Sequence, residues 1–421
     1  MVGVDEALER ILAVEPLPPE SVGLAGARGR TLRETVTADR DLPPFDRSKL
    51  DGYAVRRAAL REGPVRLPIV GEIPAGTVPD FAIGPREAAA IMTGAPTPAG
   101  ADCVVKVEDT TRDGDFMEWP APGRPDAIPG PGYGVSPRAS EVRQGTTLLE
   151  PGVRLSSAAV GLLATVGHVQ IRVGRLPKVA VLSTGDELTH PRAQRLRPGQ
   201  IRDANSHLLA ARCRALGLPT KRLGHVVDEP LRLASEIARG LRGDVLIVSG
   251  GVSMGRFDLV EPALEDQGMR MHFAAVAIRP GKPFVFGTAP DGGPPIVFGL
   301  PGNPVSAFTT FEVLARPALD RLQGRRDPRR PRVPVRLAAP ITNRGPRRAF
   351  LPARVWTGPD GELVAMPVRS AGSADIGAVA LANALLVAPE NAGTVAVGET
   401  LCCQPFGDSP DPGPGWHDPR A

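Results

Sequence analysis

The second half of the chain alternates short apolar runs with amphipathic segments, and this alternation constrains the fold more than any other feature. From Pro177 onward, five apolar runs predict strands: KVAVLS, the segment around Leu223–Val227, DVLIVS, Phe284–Phe286 and Ile296–Phe298. Between and after them, three segments predict helices: ANSHLLAARCRALG, LRLASEIARGL and the long closing PVSAFTTFEVLARPALDRL. Strand–helix alternation predicts βαβ units with right-handed crossovers and a mostly parallel sheet.

The rest of the chain has different patterns. Val4, Leu8, Ile11 and Leu12 share one face of an N-terminal helix that ends at Pro16, and Ser156–Thr165 predicts a second helix. The Pro- and Gly-rich stretch between them predicts short strands, with a mobile surface loop over 120–137. Short alternating strands return after Pro331 and predict a small β-barrel or sandwich, of which we take the barrel.

We therefore predict a multidomain α/β protein. Its parts are a helical/mixed domain (1–40 and 138–176), an inserted β domain (41–137), a three-layer α/β domain (177–326), a C-terminal β-barrel (327–406) and a disordered tail (407–421).

Composition excludes several classes. Four cysteines, without a C-x-x-C pair, predict neither a disulfide framework nor a zinc site and favour a reducing compartment. Acidic residues interrupt the apolar N-terminal pattern, so it does not resemble a signal peptide, and no apolar run is long enough to span a membrane. We expect a cytoplasmic protein that does not associate with membranes.

Basic residues cluster between Arg325 and Arg348, although the whole chain carries a formal charge of only +4. Because no nucleic-acid-binding motif accompanies the cluster, we interpret it as a solvated linker and expect no nucleic-acid partner.

Three loops follow directly after predicted strands. They begin at Thr184-Gly185-Asp186-Glu187, at Gly250-Gly251 and at Pro301-Gly302-Asn303-Pro304. Ligands of open α/β sheets bind outside the carboxyl ends of the strands, so all three loops should border one site. The Gly250–Gly255 loop would let backbone N–H groups approach an anion, although a plain tight turn explains these glycines equally well. Asn303 can cap a helix that begins at Pro304, with the positive end of its dipole facing the ligand.

Charged residues lie at the same predicted edge. The carboxylates of Asp186, Glu187, Asp228 and Asp258 around an anion site suggest a bridging Mg²⁺, although any single one could be a helix cap or turn residue. In RPGKP, Arg279 and Lys282 offer positive charge, unless they are ordinary surface residues.

The chain also contains seven motifs in the order in which molybdopterin molybdenumtransferases carry them. They are LDGYAV (50–55), IMTGAPTPAGADCVV (91–105), LSTGDEL (182–188), GQIRDAN (199–205), SGGVSMG (249–255), RPGKP (279–283) and LPGNPVSA (300–307). The chain thus resembles MoeA-type bacterial enzymes and the E domain of gephyrin, from its N-terminal helix to about Cys403.

The resemblance implies an elongated four-domain homodimer that inserts molybdate into adenylylated molybdopterin, needs Mg²⁺ and releases AMP. Transient contacts with molybdopterin adenylyltransferase and apo-molybdoenzymes are also expected. It implies that Asp51 and Thr93 serve the partner subunit's cleft, that Glu187 lies by the pterin phosphate and that Asp228 and Asp258 hold Mg²⁺. The remaining implied substrate-binding residues are Glu141, Asp186, Gly250, Gly251, Ser253, Gly255, Arg279, Lys282, Pro301, Asn303, Pro304, Ser306, Arg354 and Ser373.

The chain departs from the family at three places. Leu50 replaces the usual Met, Arg279 replaces a Lys, and Arg138-Ala139-Ser140-Glu141 replaces Arg-Gly-Glu-Asp. Arginine can form a forked contact with an oxyanion but is not equivalent to lysine.

Two other functions compete with this prediction. Molybdopterin adenylyltransferase shares the α/β fold and an SGG loop, but the LDGYAV insert and the C-terminal β domain count against it. A binding scaffold without turnover is the second, and retention of Asp51, Glu187, Asp228, Asp258 and Lys282 counts against it. The sequence does not distinguish molybdate from tungstate.

Overall fold

The structure is a computed structural model that describes residues 1–62, 64–120, 129–251 and 259–407. The chain divides into two compact units. The first consists of Met1–Glu34, Pro151–Ser157 and the chain from Gln170 onward, and the second of Thr35–Glu150 and Ala158–Val169.

A six-stranded sheet forms the centre of the first unit. Its strands are β1 (Val179–Thr184), β2 (Thr220–Val226), β3 (Val245–Ser249), β4 (Arg270–Ala275), β5 (Pro283–Thr288) and β6 (Ile296–Leu300), in the order β2-β1-β3-β6-β5-β4. β1 pairs in parallel with β2 and β3, and β3 pairs in parallel with β6. Because their carboxyl ends share one edge, the loops after β1, β3 and β6 meet there, as predicted.

The other edge of this sheet is antiparallel. β5 pairs antiparallel with β6 and with β4, so the sheet is mixed and only its β2-β1-β3-β6 part is parallel. The strand Arg270–Ala275 was not expected, because Arg270 and His272 interrupt its apolar pattern.

Helices cover both faces of the sheet. Asn205–Ala215 and the long closing helical segment lie on one face with the N-terminal helix Val4–Leu12, where Leu209, Cys213 and Phe298 are fully buried. The closing segment contains a π-helical turn, Phe311–Ala315, between Pro304–Thr310 and Arg316–Leu322. Pro230–Gly240 and Val260–Asp266 cover the opposite face around Leu246 and Val297. The three-layer prediction is confirmed.

A closed five-stranded barrel follows, as predicted. Its strands, in hydrogen-bonding order, are Arg348–Thr357, Leu363–Pro367, Val333–Leu337, Thr400–Pro405 and Ala384–Ala388, which pairs back with the first. The barrel region also contains the helix Ile376–Ala380 and the strands Ile341–Asn343 and Gly393–Val395, and the short strand Ile278–Arg279 pairs with its first strand.

Short elements complete the first unit. The strand Pro19–Gly23 pairs antiparallel with Gln170–Gly174, and the helix Leu24–Ala27 follows it. Further along lies the parallel pair Leu188–Thr189 and Ile201–Arg202.

The second unit is built around another six-stranded sheet, in agreement with the predicted β insert. Its strands, in sheet order, are Cys103–Lys106, Gly52–Val55, Ala88–Ile91, Val65–Ile73, Phe116–Trp119 and Thr111–Asp113. Smaller pairs join Val36–Thr37 to Thr147–Leu149 and Arg47–Ser48 to Val135–Ser136, and the described residues of this unit also form two 3-10 helices, Arg57–Glu62 and Val107–Asp109. The helix Ser157–Thr165 forms as predicted. Within the predicted loop 120–137, residues 121–128 lie outside the described part, and Val135–Ser136 is a paired strand; the predicted disordered tail lies outside it from residue 408.

The basic run from Arg325 to Arg348 is not a solvated linker throughout. Arg325 pairs with Asp320 at 3.0 Å and Arg348 pairs with Asp5 at 2.9 Å. Arg330 is largely buried, and its Nη2 donates a hydrogen bond to the Pro405 carbonyl at 2.6 Å. Arginines of this run are therefore held by ion pairs and hydrogen bonds to the closing helix, the barrel and the N-terminal helix.

Candidate functional site

A cleft of about 730 Å³ opens at the carboxyl edge of the parallel strands. All three predicted strand-end loops line it, together with the RPGKP segment and residues from the barrel. Of the predicted site residues, ten line this cleft: Glu187, Asp228, Gly250, Gly251, Arg279, Lys282, Pro301, Asn303, Ser306 and Ser373.

Glycines allow the strand-end loops to pack closely. Gly250 has φ +97°, and a Cβ there would lie 2.2 Å from the Thr184 carbonyl oxygen. Gly251 has φ +60°, and a Cβ there would lie 2.8 Å from a methyl group of Val260. The Gly250 N–H donates to the Leu300 carbonyl at 3.0 Å, so this N–H joins two loops and does not face an anion. Glycine at position 250 is required by close packing as well as by its backbone conformation.

Asn205 holds two of these loops together, a role that the sequence analysis missed. Its Nδ2 donates to Ser249 Oγ at 2.9 Å and to the Gly302 carbonyl at 2.6 Å, and Ser249 Oγ donates to the Pro301 carbonyl at 3.1 Å. Asn205 is buried, and the GQIRDAN motif that contains it was the available signal.

The helix start after β6 differs from the prediction. Asn303 occupies the N-cap position, but its side chain makes no capping hydrogen bond and its Nδ2 instead donates to Ser373 Oγ at 3.0 Å. The Ser373 carbonyl accepts the N–H of Val305 at 3.0 Å. Ser373 therefore connects the barrel to this helix, and Pro304 occupies the first turn without lining the cleft.

Two carboxylates border the cleft beside β1 and β2. Thr184 Oγ1 donates a short hydrogen bond to Asp228 Oδ1, and no donor contacts Asp228 Oδ2 among the described residues. Glu187 lines the same cleft, whereas Asp186 accepts the Asp228 N–H at 3.0 Å and does not line it. The described residues contain no cluster of three or more potential metal ligands. Mg²⁺, however, commonly uses one or two carboxylates plus substrate phosphates, a requirement that Asp228 and Glu187 fit.

Cationic side chains border the cleft near β5 and the barrel. Arg279 Nη2 donates to the Thr342 carbonyl at 3.3 Å, whereas the exposed Lys282 ammonium has no hydrogen-bond or ion-pair partner within the described ranges. Between them, Gly281 has φ +107°, and a Cβ there would lie 2.4 Å from Thr310 Cγ2. The close approach of this turn to the closing helix explains the glycine, and a lysine free of partners suits an anionic ligand.

The prediction for the arginine of the C-terminal domain needs a correction. Arg354 is 2% exposed, donates to the Leu381 carbonyl at 3.1 Å and does not line the cleft. Arg347 lines the cleft instead, seven residues earlier in the same segment. The sequence offered four arginines between Arg344 and Arg354, and only the barrel register distinguishes them.

The predicted residues of the β insert lie in the second unit. Asp51 Oδ1 accepts hydrogen bonds from the Thr93 N–H at 2.7 Å and from Thr93 Oγ1 at 2.9 Å. These two hydrogen bonds lower the pKa of Asp51, the backbone one more strongly.

Glu141 pairs with Arg47 at 2.6 Å, and Ala139 adopts φ +60° where the family pattern has glycine. The predicted residues Ser253, Gly255 and Asp258 lie outside the described residues.

Comparisons with known proteins place these residues in a family. Three family profiles match consecutive parts of the chain: "MoeA N-terminal region (domain I and II)" over 2–167, "Probable molybdopterin binding domain" over 180–321 and "MoeA C-terminal region (domain IV)" over 334–406. A molybdopterin molybdenumtransferase of Bacillus subtilis is 33% identical over 92% of this chain and 90% of its own length. The chain belongs to the MoeA family.

Other members agree. Molybdopterin molybdenumtransferase 2 of Mycobacterium tuberculosis is 36% identical over 91% of this chain and 94% of its own length. The crystal structure of a molybdopterin biosynthesis MoeA protein from Pyrococcus horikoshii covers 96% of this chain and all of its own, with a TM-score of 0.81 and 25% identity. As in the sequence-based expectation, no helix in the described part of this MoeA-family chain is long and apolar enough to cross a membrane.

Proposed function

We propose that this protein is a molybdopterin molybdenumtransferase, which inserts molybdate into adenylylated molybdopterin and releases AMP with the help of Mg²⁺. The observation that carries the proposal is the similarity to relatives of that name, which are 32–39% identical over most of the chain.

The distribution of charge in the cleft supports this proposal. The carboxylates Glu187 and Asp228 follow β1 and β2, whereas Lys282 precedes β5 and Arg347 belongs to the barrel segment. Molybdate is a dianion, so carboxylates repel it and the cationic part of the cleft can bind it. Asp228, together with Asp258 as the family resemblance implies, would hold Mg²⁺, which when bound would neutralise a pyrophosphate and polarise it for cleavage beside Glu187.

The residues of this chain then have distinct roles. Lys282, Arg279 and Arg347 bind and orient the oxyanion. Thr184 holds the Asp228 carboxylate through its hydroxyl, and Asn205 keeps the loops after β3 and β6 together. Adenylylated molybdopterin comes from an adenylyltransferase and the product goes to apo-molybdoenzymes, so we propose transient contact with both.

The test is AMP release and cofactor formation from purified protein, adenylylated molybdopterin, molybdate and Mg²⁺. Asp228→Asn should lower turnover by about 100-fold or more, because a Mg²⁺ ligand loses its charge. Asp266→Asn is the matched control, since Asp266 is exposed at the end of the helix Val260–Asp266, outside the cleft lining.

Two results would contradict the proposal. Full activity of Asp228→Asn would show that this carboxylate holds no essential cation. Formation of adenylylated molybdopterin from ATP and molybdopterin, without molybdenum insertion, would instead indicate an adenylyltransferase.

A further inference from the structure

A second pocket, of about 260 Å³, lies beside the linker that leads into the barrel. Three arginines of the basic run, Arg329, Arg330 and Arg332, line it with Asp5 and Gln404. It shares no described lining residue with the cleft. It is therefore a separate feature that the proposed activity does not use.

The charge that lines this pocket is strongly positive. Among its described lining residues Asp5 alone is acidic, and both carboxylate oxygens of Asp5 accept hydrogen bonds from Arg348, at 2.9 and 3.0 Å. Glu9 approaches Arg329 only to 4.0 Å and is exposed. The linker arginines consequently have little compensating negative charge.

The interior beneath the pocket also has more positive than negative charge. Glu312 is fully buried, and its carboxylate is shared by Arg212 at 2.6 Å and Arg316 at 2.8 Å. Arg330 Nε lies 4.0 Å from the same carboxylate, too far for a hydrogen bond. One buried carboxylate thus faces three guanidinium groups.

Two atoms in this cluster lack partners. The Nε atoms of Arg316 and Arg330 are buried and have no hydrogen-bond acceptor among the described residues. Burial, and then the positive charge of Arg316, lower the pKa of Arg330 to about 10. Buried positive charge in excess of negative charge and buried donors without acceptors are both unfavourable, and an anion in the adjacent pocket would relieve both at Arg330, which lines that pocket.

We propose that this pocket binds a tetrahedral oxyanion of the phosphate class, with Arg330 as the buried donor and Arg329 and Arg332 at the mouth. Guanidinium groups suit this ligand because their planar donors match adjacent phosphate oxygens. The oxyanion is either free inorganic phosphate or the phosphate group of a small monoester, since both present the same oxygens to these arginines.

Calorimetric titration of the whole protein with inorganic phosphate, at constant ionic strength, tests the proposal. Arg330→Met should weaken phosphate binding at least about tenfold, through loss of a charge-assisted hydrogen bond. The exposed pair change Arg329→Gln with Arg332→Gln should weaken it to a similar extent without disturbing the core. Arg242→Gln, at an exposed arginine outside both pockets, is the matched control and should bind phosphate as the wild type does.

The cleft is a competing anion site, so Lys282→Gln is titrated in parallel. Phosphate binding that survives Lys282→Gln and is lost in the double linker variant supports the proposal. Binding that is lost in Lys282→Gln alone would assign the ion to the cleft and overturn it. Equal binding by the wild type and the double linker variant, or no binding by the wild type, would overturn it as well.

A second readout separates the two ligand sources. Phosphate should raise the melting temperature of the wild type and of Arg242→Gln, but not of the double linker variant. Glycerol phosphate in place of phosphate tests the monoester. A lower Kd for glycerol phosphate would indicate that the pocket recognises an ester, and a higher one would indicate the free ion.

Discussion

At the scale of single residues, the contrast between Lys282 and Arg279 is informative. Both follow from the RPGKP motif and both line the cleft, but Arg279 also donates to the Thr342 carbonyl. Lys282 has no such contact within the described residues, so its full charge remains available to a ligand. Binding of the molybdate dianion should therefore depend strongly on Lys282.

We predict that Lys282→Gln raises the molybdate concentration needed for half-maximal activity by about ten- to a hundredfold. One charge-assisted contact is worth roughly 1.5–3 kcal/mol, which corresponds to that range. The affinity for adenylylated molybdopterin should change much less, and high molybdate should partly restore turnover. Steady-state titration of molybdate measures the effect, with Lys221→Gln, an exposed lysine on β2, as control. A loss of pterin affinity with an unchanged molybdate curve would place the oxyanion elsewhere.

The residues that line the cleft were predicted correctly where a motif identified them. They were predicted less well where several residues of the same type lie close together in the sequence. The loop residues Glu187, Asp228 and Lys282 all line the cleft. Arg354 was predicted and Arg347 was not, because residue type alone does not reveal which of several neighbouring arginines reaches the cleft. Asn205 was quoted within its motif but received no role, since the carbonyl it contacts lies 97 residues away.

At the scale of elements, the cleft depends on how closely three strand ends approach one another. Gly250 is the tightest point, because a Cβ there would lie 2.2 Å from the backbone oxygen of Thr184. Backbone at the end of a buried strand cannot shift as the tip of a flexible side chain can. The geometry of this site therefore depends on the absence of a methyl group.

Gly250→Ala should lower the free energy of unfolding by more than the cost of backbone strain alone, because the new methyl group also clashes with Thr184. It should also abolish most activity. Alanine in the left-handed region costs about 1–2 kcal/mol, and overpacking adds roughly 1–3 kcal/mol. Gly292→Ala is the matched control, because Gly292 has a similar φ of +85° but no atom within 4 Å of a new Cβ. Urea unfolding measures the difference, and equal destabilisation by the two changes would show that the close approach to Thr184 is unimportant.

Element types and the parallel part of the sheet were predictable from sequence periodicity, whereas the antiparallel edge was not. The strands β1, β3 and β6 are continuous apolar runs, as expected for strands buried on both faces, whereas the parallel edge strand β2 is not. β4 was missed because an edge strand needs fewer apolar residues, and the β4-β5-β6 edge then proved antiparallel. The predicted capping hydrogen bond of Asn303 does not form for another reason. The Asn303 side chain instead donates to Ser373, which is distant in sequence.

At the scale of the whole molecule, the predicted site residues are divided between the two units. The cleft belongs to the first unit, whereas Asp51 and Thr93 belong to the second. The family resemblance implies that these two residues serve the cleft of a partner subunit. We therefore propose a homodimer with twofold symmetry, which sedimentation at micromolar concentration would reveal.

Mixing two inactive variants tests this arrangement directly. Asp51→Asn and Asp228→Asn should each be nearly inactive, but co-expressed subunits should recover roughly a quarter of wild-type activity. Half of a random mixture is heterodimer, and one of the two sites in each heterodimer then combines an intact cleft with an intact Asp51. No recovery in verified heterodimers would place both residues in the same subunit's site.

The pairing of Pro19–Gly23 with Gln170–Gly174 has a consequence for synthesis on the ribosome. The strand Pro19–Gly23 is synthesised about 150 residues before its partner strand. At a translation rate of roughly 5–20 residues per second, it remains unpaired for about 7–30 s. The N-terminal helix remains without its packing partner for longer still, because its apolar face packs against the closing helical segment, which ends at Leu322. The second unit can fold during this interval. The exposed apolar face of the nascent N-terminus meanwhile offers a binding site to ribosome-associated chaperones.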